Sequence, residues 1–389
     1  MFVDSLSPGS RPVGALTAAV SAGLAGETRS AFWESLWREC RKSARVHCLF
    51  AAIILVHFAA AYILPPLFGV SDRFSPSYQG LVFLGLTGVA LIVFGAVYTL
   101  CVVLLEKPRP LGPYLWREIT TKLITAERIA IALPVLILFP MFTTSFSYFK
   151  SVVTEFRPFA WDPLFAAWDQ TLHGGFHPWQ LLQPILGHPL ITTLINGGYH
   201  LWFGVTYGVV LWQMADNRRP RLRMRYLLAF LLMWVVLGNL FAILFSSAGP
   251  VYFGRVTGLP DPFAPLMAYL HAANDVSPVA SLEVQDLLWA WYSGHIATPG
   301  AGISAMPSMH LAVAFSFLLL GFATSRMFGV IFSCFALVIF LGSVHLGWHY
   351  AIDGYAGMLG AWLIWLFCGW LLNRPTVLRL LWGQDVPAS

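Results

Sequence analysis

Two histidines and an aspartate lie close together near the C-terminal end of the sequence, inside a long apolar region. His345, His349 and Asp353 follow one another at intervals of four residues, so a helix would place all three on one face. Ionisable residues at membrane depth are costly and are usually kept for function. If Asp353 accepts the Nδ1 proton of His349, it fixes the tautomer and leaves Nε2 free to act as a nucleophile or a base.

Two further polar stretches lie next to apolar segments upstream. Ser308 and His310 precede one of them, and Lys150 and Arg157 follow another. Two histidines that face one space, one with a carboxylate behind it, indicate paired nucleophilic and acid–base catalysis. Arg157 can bind a phosphate group through two parallel hydrogen bonds, whereas Lys150 acts as a point charge. The set predicts a phosphate site, which a helix N-terminus beside His349 would stabilise further.

The composition is that of an integral membrane protein. Of the 389 residues, 58% are hydrophobic and only 11% are charged, and the mean hydropathy is +0.70. The apolar runs have the length of membrane-spanning helices. We therefore predict an all-α polytopic protein with about eight transmembrane helices, at roughly residues 47–68, 80–104, 129–148, 190–214, 226–246, 306–323, 327–345 and 350–372.

The distribution of basic residues predicts on which side of the membrane each loop lies. With eight spans, all but four of the 23 Lys and Arg residues fall on one side, and the exceptions are Arg73, Lys150, Arg157 and Arg255. Loops rich in Lys and Arg stay in the cytoplasm. Both termini are thus expected in the cytoplasm, and the polar stretches on the outer, periplasmic or lumenal, face. The net charge of +5 then reflects topology and contact with anionic lipids, so no nucleic-acid partner is expected.

Four regions are predicted along the chain. Residues 1–46 form a cytoplasmic tail with an interfacial amphipathic helix, and residues 47–128 form two N-terminal transmembrane helices with a basic inner loop. Residues 129–373 form a catalytic membrane core, and residues 374–389 form a second cytoplasmic tail. Two long outer loops, 149–189 and 247–305, interrupt the core. Amphipathic segments within these loops are expected to form helices that lie on the bundle and roof the site or simply cap it, at Trp161–Thr171 and Leu282–Tyr292.

The three polar stretches together resemble a known family. Lys150-x6-Arg157-Pro158, then Pro307-Ser308-Met309-His310, then His349-x3-Asp353 are similar, in this order and on one membrane side, to the three signatures of the type 2 phosphatidic acid phosphatase superfamily. The version here is most similar to the branch that contains inositol phosphorylceramide synthase. The resemblance covers about Lys150 to Trp365, and it implies a six-helix core to which the first two spans are added.

The resemblance also implies a role for each motif residue. His349 would attack phosphorus and form a phosphohistidine, Asp353 would hold its imidazole, and His310 would protonate the leaving oxygen. The groups that bind the phosphoryl oxygens would be Lys150, Arg157 and Ser308. No metal and no other cofactor is required in such a mechanism, because fixed cations neutralise the phosphate.

Two positions depart from the family pattern. Met309 replaces the glycine of the second motif, which is expected to change the local shape of the pocket. Gly342 and Ser343 stand where the third motif has Ser-Arg, so one phosphate-binding arginine is missing. His345 is the residue expected to donate to a phosphoryl oxygen in its place.

Several functions are compatible with these residues. The favoured one is transfer of a phosphoryl or phospho-head-group from a phospholipid or other phosphorylated lipid to an alcohol, either a lipid or a sugar. Water as the acceptor would instead give a lipid phosphate phosphatase acting on phosphatidic acid or on a polyprenyl phosphate or diphosphate. A third possibility is a metalloenzyme that binds Zn²⁺ or iron through His310, His345, His349 and Asp353. A lipid carrier without enzymatic activity is disfavoured, because the sequence has no internal repeat of the transporter kind.

Overall fold

The computed structural model describes residues 27–69, 76–119, 121, 125–296, 298 and 300–383. Throughout this part of the chain the regular secondary structure is helical, and no strand occurs in it. The all-α polytopic fold is confirmed. The predicted tail over residues 1–26 and the last six residues of the C-terminal tail lie outside the described residues.

Fifteen main helices make up the part of the chain that the structure describes. In chain order they are α1 (Glu27–Val46), α2 (Cys48–Leu67), α3 (Pro76–Leu105), α4 (Leu111–Glu118), α5 (Ala126–Ser151), α6 (Asp162–Leu172), α7 (Pro178–Leu186), α8 (Pro189–Ala215), α9 (Pro220–Leu244), α10 (Ala264–Val276), α11 (Ala280–Ser293), α12 (Met309–Thr324), α13 (Arg326–His345), α14 (Ala351–Leu372) and α15 (Pro375–Trp382). Within α9, Met233–Phe241 is a π-helix. One-turn helices at Val153–Phe156, Pro250–Tyr252 and Phe253–Thr257 lie in the connections.

Six of the described helices are long and apolar enough to cross a membrane, namely α2, α3, α5, α9, α13 and α14. They correspond to six of the eight predicted spans. The predicted span 306–323 is the shorter apolar helix α12, which has 16 residues. The predicted span 190–214 is helix α8, which is 27 residues long but not apolar enough to be among the six. Polar residues such as Asn196 and His200 interrupt its hydrophobic surface.

The chain reverses direction twice between α12 and α14, and this brings two motifs to one end of the bundle. Ser325 accepts the Phe328 N–H at 3.3 Å and so caps α13 directly after α12 ends. Because α13 runs back along α12, the N-termini of α12 and α14 lie at the same end. The C-terminus of α5 is also there, since the Gly300 N–H donates to Ser147 Oγ at 3.3 Å. We call this end of the bundle the site end.

The helices of the two long loops lie against the site end. The predicted amphipathic segments are helices, α6 and α11, as expected. Gln285 of α11 donates to the Leu346 carbonyl at 2.9 Å, and Ser281 donates through its Oγ to Asn196 of α8 at 2.7 Å. These contacts join the second loop to α8 and to the turn before α14, so the loop helices cover the site end.

Candidate active site

A turn, and not a continuous helix, carries His349. Helix α13 ends at His345 and α14 begins at Ala351, so the predicted common face of His345, His349 and Asp353 is wrong. Gly347 has a φ of +74°, which favours glycine, and its carbonyl accepts the Val251 N–H at 2.9 Å. This contact with a distant segment stabilises the turn. The four-residue spacing of these residues could not reveal this contact, because it comes from a segment far away in sequence.

The imidazole of His349 is held by a backbone carbonyl. Its Nδ1 lies 2.9 Å from the Ala305 oxygen, which only a protonated Nδ1 can satisfy. Burial lowers the pKa of His349 to about 3, so the ring is neutral near pH 7 and Nε2 carries a lone pair. Asp353 Oδ2 lies 3.4 Å from the same Nδ1 and accepts the Tyr350 N–H at 3.0 Å. The predicted hydrogen bond from Nδ1 to Asp353 is wrong, because the Ala305 carbonyl accepts this proton and Asp353 is only a nearby carboxyl group. Nε2 is nevertheless left with the lone pair, as the predicted tautomer requires.

His310 faces His349 from the first turn of α12. The two ring centroids are 6.2 Å apart. Ser308 caps this helix, because its Oγ accepts the Leu311 N–H at 3.4 Å. Among the described residues, no group accepts the N–H of Met309 or that of His310, so these two donors remain available at the helix N-terminus.

A close approach of two backbones fixes the distance between the histidines. The Ser308 N–H donates to the Asp353 carbonyl at 2.9 Å, which joins the starts of α12 and α14. One turn later, a Cβ on Gly357 would lie only 2.5 Å from the Ser308 oxygen. Any side chain at position 357 would therefore push the two helices, and with them His310 and His349, apart.

Lys150 lies at the end of α5 next to the two histidines. It is close enough to interact electrostatically with both His310 and His349. Its backbone carbonyl is packed against Gly302, where a Cβ would lie 2.2 Å from the Lys150 oxygen. The segment that leads to the second motif thus lies directly on Lys150.

Arg157 lies further out than the other predicted phosphate ligands. Its side chain is exposed, and its guanidinium carbon lies 5.7 Å from the ring centroid of Trp161. No hydrogen bond or ion pair joins it to His310, His349 or Lys150 within the described part of the chain. The structure thus brings Lys150, Ser308, His310, His349 and Asp353 together and leaves Arg157 at the rim.

His345 points towards α8. It is fully buried, and its Nε2 lies 2.9 Å from Thr192 Oγ1. Ser343, at the position of the missing arginine, donates its hydroxyl back to the Ile339 carbonyl at 2.8 Å. That His345 takes over the phosphate contact of the missing arginine stays a prediction. Its hydrogen bond to Thr192 gives this histidine a structural role between α13 and α8.

The predicted metal alternative lacks a suitable group of ligands. Of its four residues, His345 bonds to Thr192 instead of facing His349. Among the described residues, no three His, Cys, Asp or Glu side chains are grouped so that they could hold a metal ion. The geometry therefore does not favour the metalloenzyme over phosphate chemistry.

Two aspartates in α6 hold the backbone around His349, and sequence reasoning missed both. Asp169 accepts the N–H groups of Ala351 and Ile352 at 2.7 and 2.9 Å, so it caps α14. Burial raises the pKa of its carboxyl group, and these N–H donors act in the opposite direction. The expectation that the helix N-terminus beside His349 binds the phosphate is wrong, because a carboxylate of the protein already occupies it.

Asp162 anchors the segment 246–249, which lies against residues next to all three motifs. It accepts the N–H groups of Ala248 and Gly249 and the hydroxyl of Tyr350, at distances of 2.8–3.1 Å. Burial raises the pKa of this carboxyl group too, against the effect of its donors. The spacing of Asp162 and Asp169, seven residues apart on one face of an amphipathic helix, was the only signal that could have identified them.

The segment 246–249 contacts residues next to each motif through its backbone. The Ser246 carbonyl accepts the Trp161 N–H at 3.4 Å, and the Ser247 carbonyl accepts the Ala305 N–H at 2.9 Å. Gly249 has a φ of +95°, and a Cβ there would lie 2.5 Å from the Trp348 oxygen. The segment thus positions the residues before the second motif and the turn that carries His349.

The sequence as a whole supports a family assignment. The sequence model of the PAP2 superfamily matches residues 164–367, just over half of the chain. The matched region contains His310, His349 and Asp353 and starts after Lys150 and Arg157. No curated protein and no solved structure matches the chain significantly. With paired histidines at the site end and a family match over more than half of its length, the chain belongs to the PAP2 superfamily.

Proposed function

We propose that the protein is a membrane-embedded phosphotransferase that moves a phosphoryl or phospho-head-group from a lipid donor to an alcohol through a phosphohistidine at His349. Membership of the PAP2 superfamily supports an enzyme of the phosphatase or phosphotransferase type. The observation that carries the proposal is the neutral His349, whose Nδ1 is bonded to Ala305, facing His310 across 6.2 Å. This arrangement supplies a nucleophile and an acid in one site.

In the first step the lone pair of His349 Nε2 attacks phosphorus. The bond from phosphorus to the leaving oxygen breaks, and His310 gives its proton to that oxygen, which departs as an alcohol. The charge of Lys150 and the free N–H groups of Met309 and His310 stabilise the phosphoryl oxygens. Asp353 stabilises the positive charge that the His349 ring gains.

In the second step the acceptor hydroxyl gives its proton to the now neutral His310. Its oxygen bonds to phosphorus, and the bond between phosphorus and Nε2 breaks, which restores His349. An alcohol acceptor gives a new phosphate ester, whereas water gives free phosphate. The shielding of the site supports transfer: His349 is 7% exposed, and Tyr199 and Trp202 pack against His310.

Arg157 is proposed to bind the phosphate group as it enters. Its exposed side chain lies seven residues after Lys150 in sequence, beyond the end of α5 and on the rim of the site. A guanidinium there attracts an anionic head group before Lys150 takes over at the reacting centre.

Product analysis tests the proposal. Purified protein in detergent is given phosphatidic acid with or without a long-chain alcohol, and products are identified by mass spectrometry. We expect the phosphorylated alcohol to form, also in the presence of EDTA, and to disappear in His349→Ala but not in His271→Ala, which changes an exposed histidine. Release of free phosphate alone, whatever the acceptor, would identify a phosphatase. Wild-type turnover by His349→Ala would end the phosphohistidine mechanism.

The orientation in the membrane is also a proposal. The distribution of Lys and Arg supports a site end that faces the periplasm or lumen, with both termini in the cytoplasm. A membrane-impermeant maleimide should label Asp275→Cys, an exposed position of α10, in sealed cells or vesicles of native orientation. Labelling only after the membrane is permeabilised would reverse the assignment.

A further inference from the structure

His310 has basic neighbours only. The titratable groups that act on it electrostatically are His349, Lys150 and His200. No carboxylate pairs with it in the part of the chain that the structure describes. An imidazole that must hold a proton before it can serve as an acid therefore lies in surroundings that disfavour its positive charge.

Aromatic rings take the place of a carboxylate. The ring of Tyr199 stacks on His310 with 4.6 Å between centroids and an interplanar angle of 18°. The indole of Trp202 lies at 4.3 Å and 39°. Both distances are within the range at which the face of an aromatic ring attracts a cation.

The two rings are themselves held in place. The indole N–H of Trp202 donates to the His310 backbone carbonyl at 2.9 Å, which ties the ring to the residue it contacts. Trp348 stacks on Tyr199 from the turn that carries His349, with 6.3 Å between centroids and an angle of 8°. The aromatic residues thus link the two reacting histidines through ring contacts, and their geometry is fixed before a substrate binds.

We propose that Tyr199 and Trp202 are positioning residues that hold His310 against their π faces and stabilise its imidazolium form, so that it can protonate the leaving oxygen. This inference rests on the proposed function, because Tyr199 and Trp202 can affect the reaction only if His310 is its acid. It concerns the first step alone, in which His310 loses its proton to the departing alcohol.

The dependence of the rate on the leaving group separates this role from simple packing. Phosphatidic acid releases an alkoxide that needs a proton, whereas 4-nitrophenyl phosphate releases a stable phenolate that does not. We expect Trp202→Leu to lower kcat/KM about tenfold with phosphatidic acid and less than about twofold with the aryl phosphate. Tyr199→Leu should show the same pattern, so the test does not depend on the folding of one variant.

Two further variants serve as controls. Trp202→Phe retains a π face and removes only the indole hydrogen bond, and it should keep most of the rate with both substrates. Trp212→Leu alters a tryptophan of the same helix that packs on Phe328, away from the site, and should not change the ratio of the two rates. Equal losses with both substrates for the Trp202 and Tyr199 variants, or no loss at all, would overturn the inference.

His310→Ala distinguishes a failure of this inference from a failure of the proposed function. If His310 is the acid, its removal lowers kcat/KM with phosphatidic acid by about 10²–10⁴ and spares kcat/KM with the aryl phosphate, because this ratio reports the first step and not the later role of His310 as a base. Equal losses with both substrates in His310→Ala would contradict the acid role itself. A leaving-group effect in His310→Ala without one in Trp202→Leu would refute only the role of the aromatic rings.

Discussion

Asp353→Asn separates two tasks that one carboxyl group can perform. Asp353 Oδ2 accepts the Tyr350 N–H at 3.0 Å and lies 3.4 Å from His349 Nδ1. The proton on that nitrogen already has an acceptor, the Ala305 carbonyl at 2.9 Å. Asparagine can keep the cap on Tyr350 through its amide oxygen, but it carries no charge. The substitution therefore removes charge beside His349 and leaves the tautomer and the helix start in place.

The size of the effect follows from the distance between the two groups. A full positive charge on His349, 3.4 Å from a carboxylate in a medium with an effective dielectric constant of about 20, is stabilised by about 5 kcal/mol. If half of that charge has developed in the transition state, the loss is about 2.5 kcal/mol. This corresponds to a decrease of roughly 70-fold in kcat.

Steady-state kinetics with a short-chain phosphatidic acid in detergent measures this decrease. We expect kcat to fall and KM to stay nearly constant, because the charge appears only as the bond to phosphorus forms. Thermal unfolding of the same variant is the control and should change little. A kcat within threefold of the wild-type value would refute the electrostatic role of Asp353 and leave the Ala305 carbonyl as the group that orients His349.

Three further predictions concern the proposed phosphate ligands, the helix cap and the protonation of the proposed nucleophile. Lys150→Ala should lower kcat/KM by about 10–100-fold, and Arg157→Ala by about tenfold mainly through KM, because only Lys150 lies beside the histidines. Asp169→Asn keeps one of the two hydrogen bonds that cap α14, so it should lower the free energy of unfolding by about 2 kcal/mol. Thermal or denaturant unfolding measures this loss, and Asp275→Asn, which changes an exposed aspartate, is the control. Since burial lowers the pKa of His349 to about 3, its neutral form persists as the pH falls. Its carbethoxylation rate, followed by peptide mass spectrometry, should be the same at about pH 7.5 and 5.5, where a histidine with an ordinary pKa slows about tenfold. An unchanged free energy of unfolding in Asp169→Asn would contradict the capping role of Asp169. A tenfold slower carbethoxylation of His349 at the lower pH would contradict the lowered pKa of His349.

The membrane-embedded helical fold could be predicted from the sequence because it depends on local properties. Apolar runs long enough to span a bilayer must form helices there, since the backbone has no other way to satisfy its polar groups. Six of eight predicted spans are long apolar helices. The two exceptions are α8, which contains polar residues, and α12, which is short. The position of each helix depends on neighbouring segments that cover its polar groups and its ends.

The candidate site could be predicted only in part, since residue types and spacing identify groups able to do chemistry but not their partners. The sequence alone pointed to His310, His349 and Asp353 as ionisable residues in apolar surroundings. Only the tertiary structure decided that a turn separates His345 from His349, that Ala305 accepts the Nδ1 proton, and that α6 caps α14. These choices depend on backbone groups of segments far apart in sequence, and such contacts leave no periodic pattern because any residue type can supply a carbonyl or an N–H.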